Sequence, residues 1–203
     1  SVLFGHSGQA AAQEALRIGF LTDMSGAYSD LDGRNGALAI QMAIDDFGGT
    51  VNGMPIELLA ADHQNKADVA AAKAREWMDT QNIQMLVGGT NSAAALALSQ
   101  LAQGRKRVLI ANGPGTSALT NEQCSPYTIH YAWDTVALAR GTGRAMVQQG
   151  YKDWFFIAAD YAFGEALQRD ATAVIESGGG KVVGAVKHPL NTADFSSFVL
   201  QAQ

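Results

Sequence analysis

An α/β chain of open parallel sheets flanked by helices is predicted here from three observations. Short apolar runs alternate with longer segments of helical periodicity along most of the chain. Two successive runs stop in loops of glycine and small hydroxyl residues, Gly88-Gly89-Thr90-Asn91-Ser92 and Asn112-Gly113-Pro114-Gly115-Thr116-Ser117. The composition is that of a globular chain with ample core: 203 residues, 47% hydrophobic, 16% charged, and 22 glycines against 4 prolines.

Each element has its own signal. Residues 17–21 form a short apolar strand, and residues 32–47 carry Leu38, Ile40, Met42, Ala43, Ile44 and Phe47 at near-helical spacing until Gly48-Gly49 stops the helix. Residues 55–61 read as a buried strand, and residues 66–80 as a helix with Val69, Ala72, Trp77 and Met78. A strand at 84–87, a helix at 92–103 and a strand at 107–111 continue the alternation. Asn121, Ser125 and Pro126 then break any long helix, which places a boundary between lobes near residue 121 and a strand at 127–131. A second series follows: helix 134–149, strand 154–159, helix 163–177, the stop Gly178-Gly179-Gly180, strand 181–186 and a helix beginning near Asp194. Such alternation gives a doubly wound parallel sheet in each lobe, with helices on both faces. The expected units are a first α/β lobe at 16–121 and the start of a second at 122–203, which is incomplete because too few βα units follow.

A net charge of -5, with 14 dispersed basic residues, excludes a nucleic-acid surface and leaves small molecules or proteins as partners. The single cysteine, Cys124, allows neither an internal disulfide nor a cysteine-based metal site. It reads as a small buried or loop residue, or as the partner of a cysteine outside this sequence. Ser1-Val2-Leu3-Phe4-Gly5 and the small residues up to Ala12 resemble the tail of a secretory signal peptide, so residues 1–15 are expected to be a leader remnant and the protein to be exported. The other reading is an unrelated flexible leader. No run of about 18 apolar residues suggests a membrane-spanning helix.

The order and spacing of several short motifs carry a resemblance. They are Ile18-Gly19 through Met24-Ser25-Gly26, Asn35-Gly36, Gly48-Gly49 with Asn52-Gly53, Val87-Gly88-Gly89 to Ser92, Gly113 to Thr116 with Ala118-Leu119-Thr120, Asp160-Tyr161-Ala162-Phe163-Gly164, and Asp194-Phe195-Ser196. From Arg17 onward the chain resembles the amino-terminal half of a type I periplasmic solute-binding protein of the leucine/isoleucine/valine-binding family, which serves ABC importers. The resemblance implies the type I periplasmic-binding-protein fold, two lobes closing over a small solute, and a membrane permease as partner. It implies no cofactor and no catalysis.

Parallel sheets bind ligands outside the carboxyl ends of their strands, so the two glycine-rich loops are expected to share one site. With Asn91 or Ser92 as N-cap, the first N–H groups of the following helix suit an anion, to which the Ser92 hydroxyl and the helix dipole would add. Taken alone, Ser92 reads first as a simple cap without a ligand, and the resemblance reverses that order. Gly113, Pro114, Thr116 and Ser117 would complete the clamp, as the resemblance implies for the second loop. Neither loop contains Lys or Arg, which favours a carboxylate or neutral polar group over phosphate.

Aromatic side chains near strand ends supply candidate walls for an apolar ligand body: Tyr28, Tyr131, Trp133, Tyr161 and Phe163. Tyr161 and Phe163 stand where the family places an aromatic residue facing the cleft, although packing at a helix start would also account for Phe163. Asp134 and Asp160 would meet a ligand ammonium, or serve only as helix N-terminal carboxylates. The ligand is therefore an amino acid or a plain, including aromatic, carboxylic acid.

Gly113-x-Gly115-x-x-Ala118 with Asp134 beyond it matches a dinucleotide fingerprint superficially, but the loop opens no long helix and does not follow the first strand. His6, His63, His130 and His188 have no catalytic partner spacing, and no nucleophile elbow or zinc motif occurs. The reading is a solute-binding component of an ABC importer. A ligand-sensing domain of a receptor or regulator, which shares the fold, is the alternative, and an enzyme of the doubly wound class ranks third. An incomplete second lobe would also expose sheet edge and favour association with another chain.

Overall fold

The computed structural model describes residues 14–203. The expected leader over residues 1–15 lies outside them except for its last two residues. Of these, Ala15 is buried and Glu14 accepts a 3.4 Å hydrogen bond from Asn82.

In chain order the first unit runs β1 (Leu16–Thr22), α1 (Ser29–Asp46), β2 (Thr50–Val51), β3 (Met54–Asp62), α2 (Ala67–Thr80), β4 (Met85–Gly88), α3 (Ser92–Arg105), β5 (Val108–Ala111) and β6 (Thr128–His130). The strands form one sheet in the order β2-β3-β1-β4-β5-β6, parallel throughout except for the antiparallel pair β2–β3. Asn52 and Gly53, both at positive φ, turn that pair as a tight hairpin. Alternate residues of the central strands serve opposite faces. Phe20 and Val87 pack with Ile18 against Ile44, Ala37 and Ile40 of α1, whereas Leu21 and Leu86 pack against Ala74, Trp77, Leu98 and Ala102 of α2 and α3. Both faces are thereby covered, as a parallel sheet requires.

The second unit contains α4 (Thr135–Leu138), a π-helical turn (Ala139–Gly143), α5 (Arg144–Gln148), β7 (Asp153–Ala159), α6 (Ala162–Ser177), β8 (Lys181–His188) and α7 (Ser196–Gln201). β7 and β8 pair in parallel, and Ala139, Val147, Ala171 and Ile175 form their core with Trp154 and Phe156. The single helix expected over 134–149 is interrupted at the π-helical turn, which contains the poor helix formers Gly141 and Gly143. The first sheet also extends past the expected boundary at residue 121. β6 pairs with β5, so the sheets change between His130 and Asp153.

Strand order reverses beside β1: the chain runs from β1 outward to β3 and returns to β4 on the other side. The loops after β1 and β4 therefore lie next to each other at a topological switch point, where α/β sheets hold ligands.

Beneath these loops His63 is 1% exposed. Its Nδ1 accepts the Asn65 N–H at 3.1 Å, so the ring proton sits on Nε2. Burial pushes the imidazole pKa down, against the pull of Asp23, Asp62 and Asp32. Unfolded chains bind a proton at this residue at higher pH than the folded one does, so acid favours unfolding. The stability is present above the ordinary histidine pKa and is lost as pH falls below it. Melting temperatures measured from about pH 7.5 to about pH 5 should fall, and His63→Gln should flatten that slope.

Candidate functional site

A cavity of about 90 Å³ opens where the strand-end loops of the first unit face the start of α6. Tyr28 and Leu31 border it after β1, Thr90 after β4, and Gly115 after β5; Trp133, Tyr161 and Phe163 close it. The rings touch in sequence. Trp133 meets Phe163 edge-on with centroids 5.9 Å apart, Phe163 lies 6.2 Å from Tyr161, and Tyr161 lies 6.4 Å from Tyr28. The Tyr28 and Tyr161 hydroxyls share a hydrogen bond across the cleft. Burial, together with that bond, holds the Tyr161 pKa well above the ordinary phenol range, so it stays a neutral donor or acceptor. A larger hollow of about 450 Å³ beside Arg140 and Arg144 lies on the α5–α6 face, away from the strand ends.

Local chemistry explains how these side chains are presented. Asp23, fully buried at the end of β1, accepts the N–H groups of Ser25, Gly26 and Tyr28 at 3.3, 2.7 and 2.8 Å and so folds the loop that carries Tyr28. Gly115 admits the opposing rings because it has no side chain: a Cβ there would lie 2.3 Å from Trp133 and 2.8 Å from Phe163. Gly113 packs on Thr90, where a Cβ would approach Oγ1 to 2.9 Å.

Four of the residues proposed from the sequence, Tyr28, Trp133, Tyr161 and Phe163, come together around the cavity, whereas Tyr131 is 78% exposed and does not border it. Others stand behind it with protein partners. Asn91 is 1% exposed and caps α3, accepting the Ala94 N–H at 2.9 Å, which covers one of the donors expected for an anion. Ser92 is fully buried and its hydroxyl accepts the Thr116 N–H at 3.3 Å, joining the two glycine-rich loops. The Pro114 carbonyl accepts a 2.6 Å bond from His130 Nε2. Thr116 caps the 3-10 turn Ser117–Thr120, accepting the Ala118 N–H at 3.3 Å.

Ser117 turns to the second unit. Its hydroxyl donates to Asp170 at 2.8 Å and accepts from Arg169 at 2.9 Å, while its N–H donates to Thr135 Oγ1 at 3.1 Å. Asp134 caps α4 through the Ala137 N–H at 2.7 Å, and Asp160 pairs with Lys187 at 3.2 Å, so both carboxylates have structural partners. Thr90 and Gly115 belong to the two glycine-rich loops, where nothing in the sequence sets them apart as cavity residues, and Leu31 carries no distinguishing signal. Cys124 is exposed and free. Among the described residues no group of three or more His, Cys, Asp or Glu is placed to hold a metal ion.

The arrangement provides a cleft with aromatic walls, two phenol hydroxyls and hydroxyl- and glycine-bearing loops, and no charged side chain borders it. Such a surface has the chemistry to hold a small apolar body with a polar end.

Known proteins match this architecture. A crystal structure of a periplasmic binding protein from Burkholderia mallei superposes with a TM-score of 0.91 and 61% identity, covering 94% of this chain and 51% of that one. The solute-binding protein of an ABC transporter from Rhodopseudomonas palustris, in complex with 3,4-dihydroxybenzoic acid, superposes with a TM-score of 0.79 at 27% identity, covering 93% and 51%. In sequence, the Leu/Ile/Val-binding protein homolog 6 of Brucella abortus is 27% identical over 197 residues, 96% of this chain and 49% of that protein. The chain thus spans about half the length of the relatives it matches. A family model described as periplasmic binding protein matches residues 15–203, and the chain belongs to that family.

Proposed function

We propose that this chain forms part of the solute-binding component of an ABC importer, working outside the cytoplasm and holding a small aromatic carboxylic acid between two lobes. The observation that carries the reading is the four-ring cavity bordered by no charged side chain. An α-amino acid brings an ammonium group that needs a carboxylate nearby, and Asp134 and Asp160 are engaged elsewhere. An aromatic acid needs only ring contacts and donors for its carboxylate, which the Thr90 hydroxyl and the loop backbone would supply. The relative in complex with 3,4-dihydroxybenzoic acid supports this choice. Contacts made from both lobes lower the free energy of the closed form selectively, and that form is what a membrane permease would recognise.

The Leu/Ile/Val-binding relatives favour a branched-chain amino acid as the second reading. Thermal shift of the full-length protein separates the two. With 3,4-dihydroxybenzoate or 4-hydroxybenzoate at about 100 times its Kd, native-state binding adds about 2.7 kcal/mol, seen as a clear rise in Tm. A rise with leucine, isoleucine or valine and none with the aromatic acids would replace the first reading by the second.

A further inference from the structure

We infer that Asn65, which does not border the cavity, is a positioning residue that locks the Tyr28 loop to the amino terminus of α3 and so fixes the width of the binding cleft. Its side-chain amide is bonded at both ends. Nδ2 donates to the Asp23 carboxylate, and Oδ1 accepts from Asn91 Nδ2 at 3.2 Å. The polarity of this chain is determined by its ends. A carboxylate only accepts, so the Asn65 amino group faces Asp23. Asn91 Oδ1 is occupied by the Ala94 N–H, so the Asn91 amino group faces Asn65. One continuous line of donors and acceptors thus runs from the first turn of α3 through Asn91 and Asn65 to the carboxylate that gathers the Tyr28 N–H.

The backbone supports the same role. Gln64 and Asn65 have φ of 54° and 55°, the left-handed region that asparagine tolerates better than most residues. This conformation lets the Asn65 N–H reach His63 Nδ1. Asp62, at the end of β3, ties that strand to the Tyr28 loop as well, accepting the Met24 N–H at 3.0 Å and the Ser25 hydroxyl at 2.5 Å. Three loops, after β1, β3 and β4, are joined at one point, and of Asp23, Asn65 and Asn91 it is Asn65 that bonds to both of the others. Removing its amide would break the side-chain link between the Tyr28 loop and Asn91 and loosen the two sides of the cleft against each other, while the β1–β4 pairing and both faces of the sheet stay in place.

The inference rests on the cavity's being the solute site, and the test keeps the two questions apart. Asn65→Gly retains access to the left-handed conformation and deletes the amide. In the full-length protein, amide hydrogen exchange over residues 24–28 and 92–95 should quicken about tenfold while β4 keeps its protection. Unchanged exchange in those segments would overturn the proposal whatever the ligand. For 3,4-dihydroxybenzoate, Asn65→Gly should weaken binding roughly five- to tenfold in the wild-type background and by less than about twofold in a Tyr28→Ala background. Equal losses in both backgrounds would show that Asn65 does not act through Tyr28 and would likewise overturn it. Should the wild-type protein ignore the aromatic acids, the proposed ligand fails and the exchange measurement alone decides. Asn65→Ser, short and polar but without the amide, replaces Asn65→Gly if the latter does not fold.

Discussion

Gly115→Val is expected to abolish solute binding while leaving the ligand-free protein almost as stable as before. The first atom of any side chain at this position would lie 2.3 Å from Trp133 Cζ3 and 2.8 Å from Phe163 Cε2, well inside van der Waals contact. Those atoms belong to rings that meet edge-on across the cavity, one entering before α4 and the other from the start of α6. Trp133 is 51% exposed and lies outside the buried core, so the clash is expected to be relieved by displacing its ring toward solvent and opening the cleft rather than by straining the core. Gly115 does not occupy the left-handed region, so the substitution adds no backbone strain. The cost falls on the closed, liganded state alone. Gly115→Ala should weaken binding on the order of 100-fold, about 2.7 kcal/mol, and Gly115→Val should put it beyond detection. Titration calorimetry with 3,4-dihydroxybenzoate measures the first effect, and a ligand-free Tm shifted by no more than about 0.5 kcal/mol in equivalent stability checks the second. Equal losses of Tm and affinity would mean that Gly115 is needed for folding rather than for the shape of the cleft.

The alternation of strands and helices was legible because burial imposes a local pattern. Apolar runs such as Phe20-Leu21 and Leu86-Val87 serve two covered faces, and α2 shows its period through Ala70, Ala74 and Trp77. The placement of Tyr161 and Phe163 beside the cavity was legible for a positional reason, since residues directly after a parallel strand lie at its carboxyl end. What the sequence withheld is the assignment of partners. A serine in a glycine-rich loop reads the same whether it meets a solute or a carboxylate, and the partner of Ser117 is Asp170, 53 residues away. Asn91 and Ser92 likewise read as ligand donors in the sequence, and only the structure shows that their side-chain oxygens accept the Ala94 and Thr116 N–H groups. The π-helical turn was hidden because residues 134–149 are apolar at helical spacing on either side of Gly141 and Gly143. β6 was assigned past the boundary because Asn121 and Pro126 mark a break in helix, not a change of sheet.

Asp170→Ala is expected to destabilise the protein by about 3 kcal/mol, because this carboxylate fastens the second glycine-rich loop to α6. Ser117 and Thr135 both donate their hydroxyls to Asp170 Oδ2, at 2.8 and 2.6 Å, and Arg169 Nε reaches Oδ1 at 3.1 Å. Ser117 and Thr135 are almost fully buried. With the carboxylate gone, two almost fully buried hydroxyls lose the acceptor they share, and each carries the desolvation cost of an unmade bond. The same contact orients α4, whose Thr135 N–H donates to the Gly115 carbonyl at 2.7 Å, two residues beyond Trp133 of the cavity. Asp170→Asn separates charge from hydrogen bonding. Its oxygen can replace Oδ2 and accept both hydroxyls, while its amino group meets the Arg169 donor and loses only the exposed side of the network. That variant should cost about 1 kcal/mol. Urea denaturation of the full-length protein gives both numbers, and a cost for Asp170→Asn as large as for Asp170→Ala would show that the charge, not the hydroxyl acceptor, joins the loop to α6.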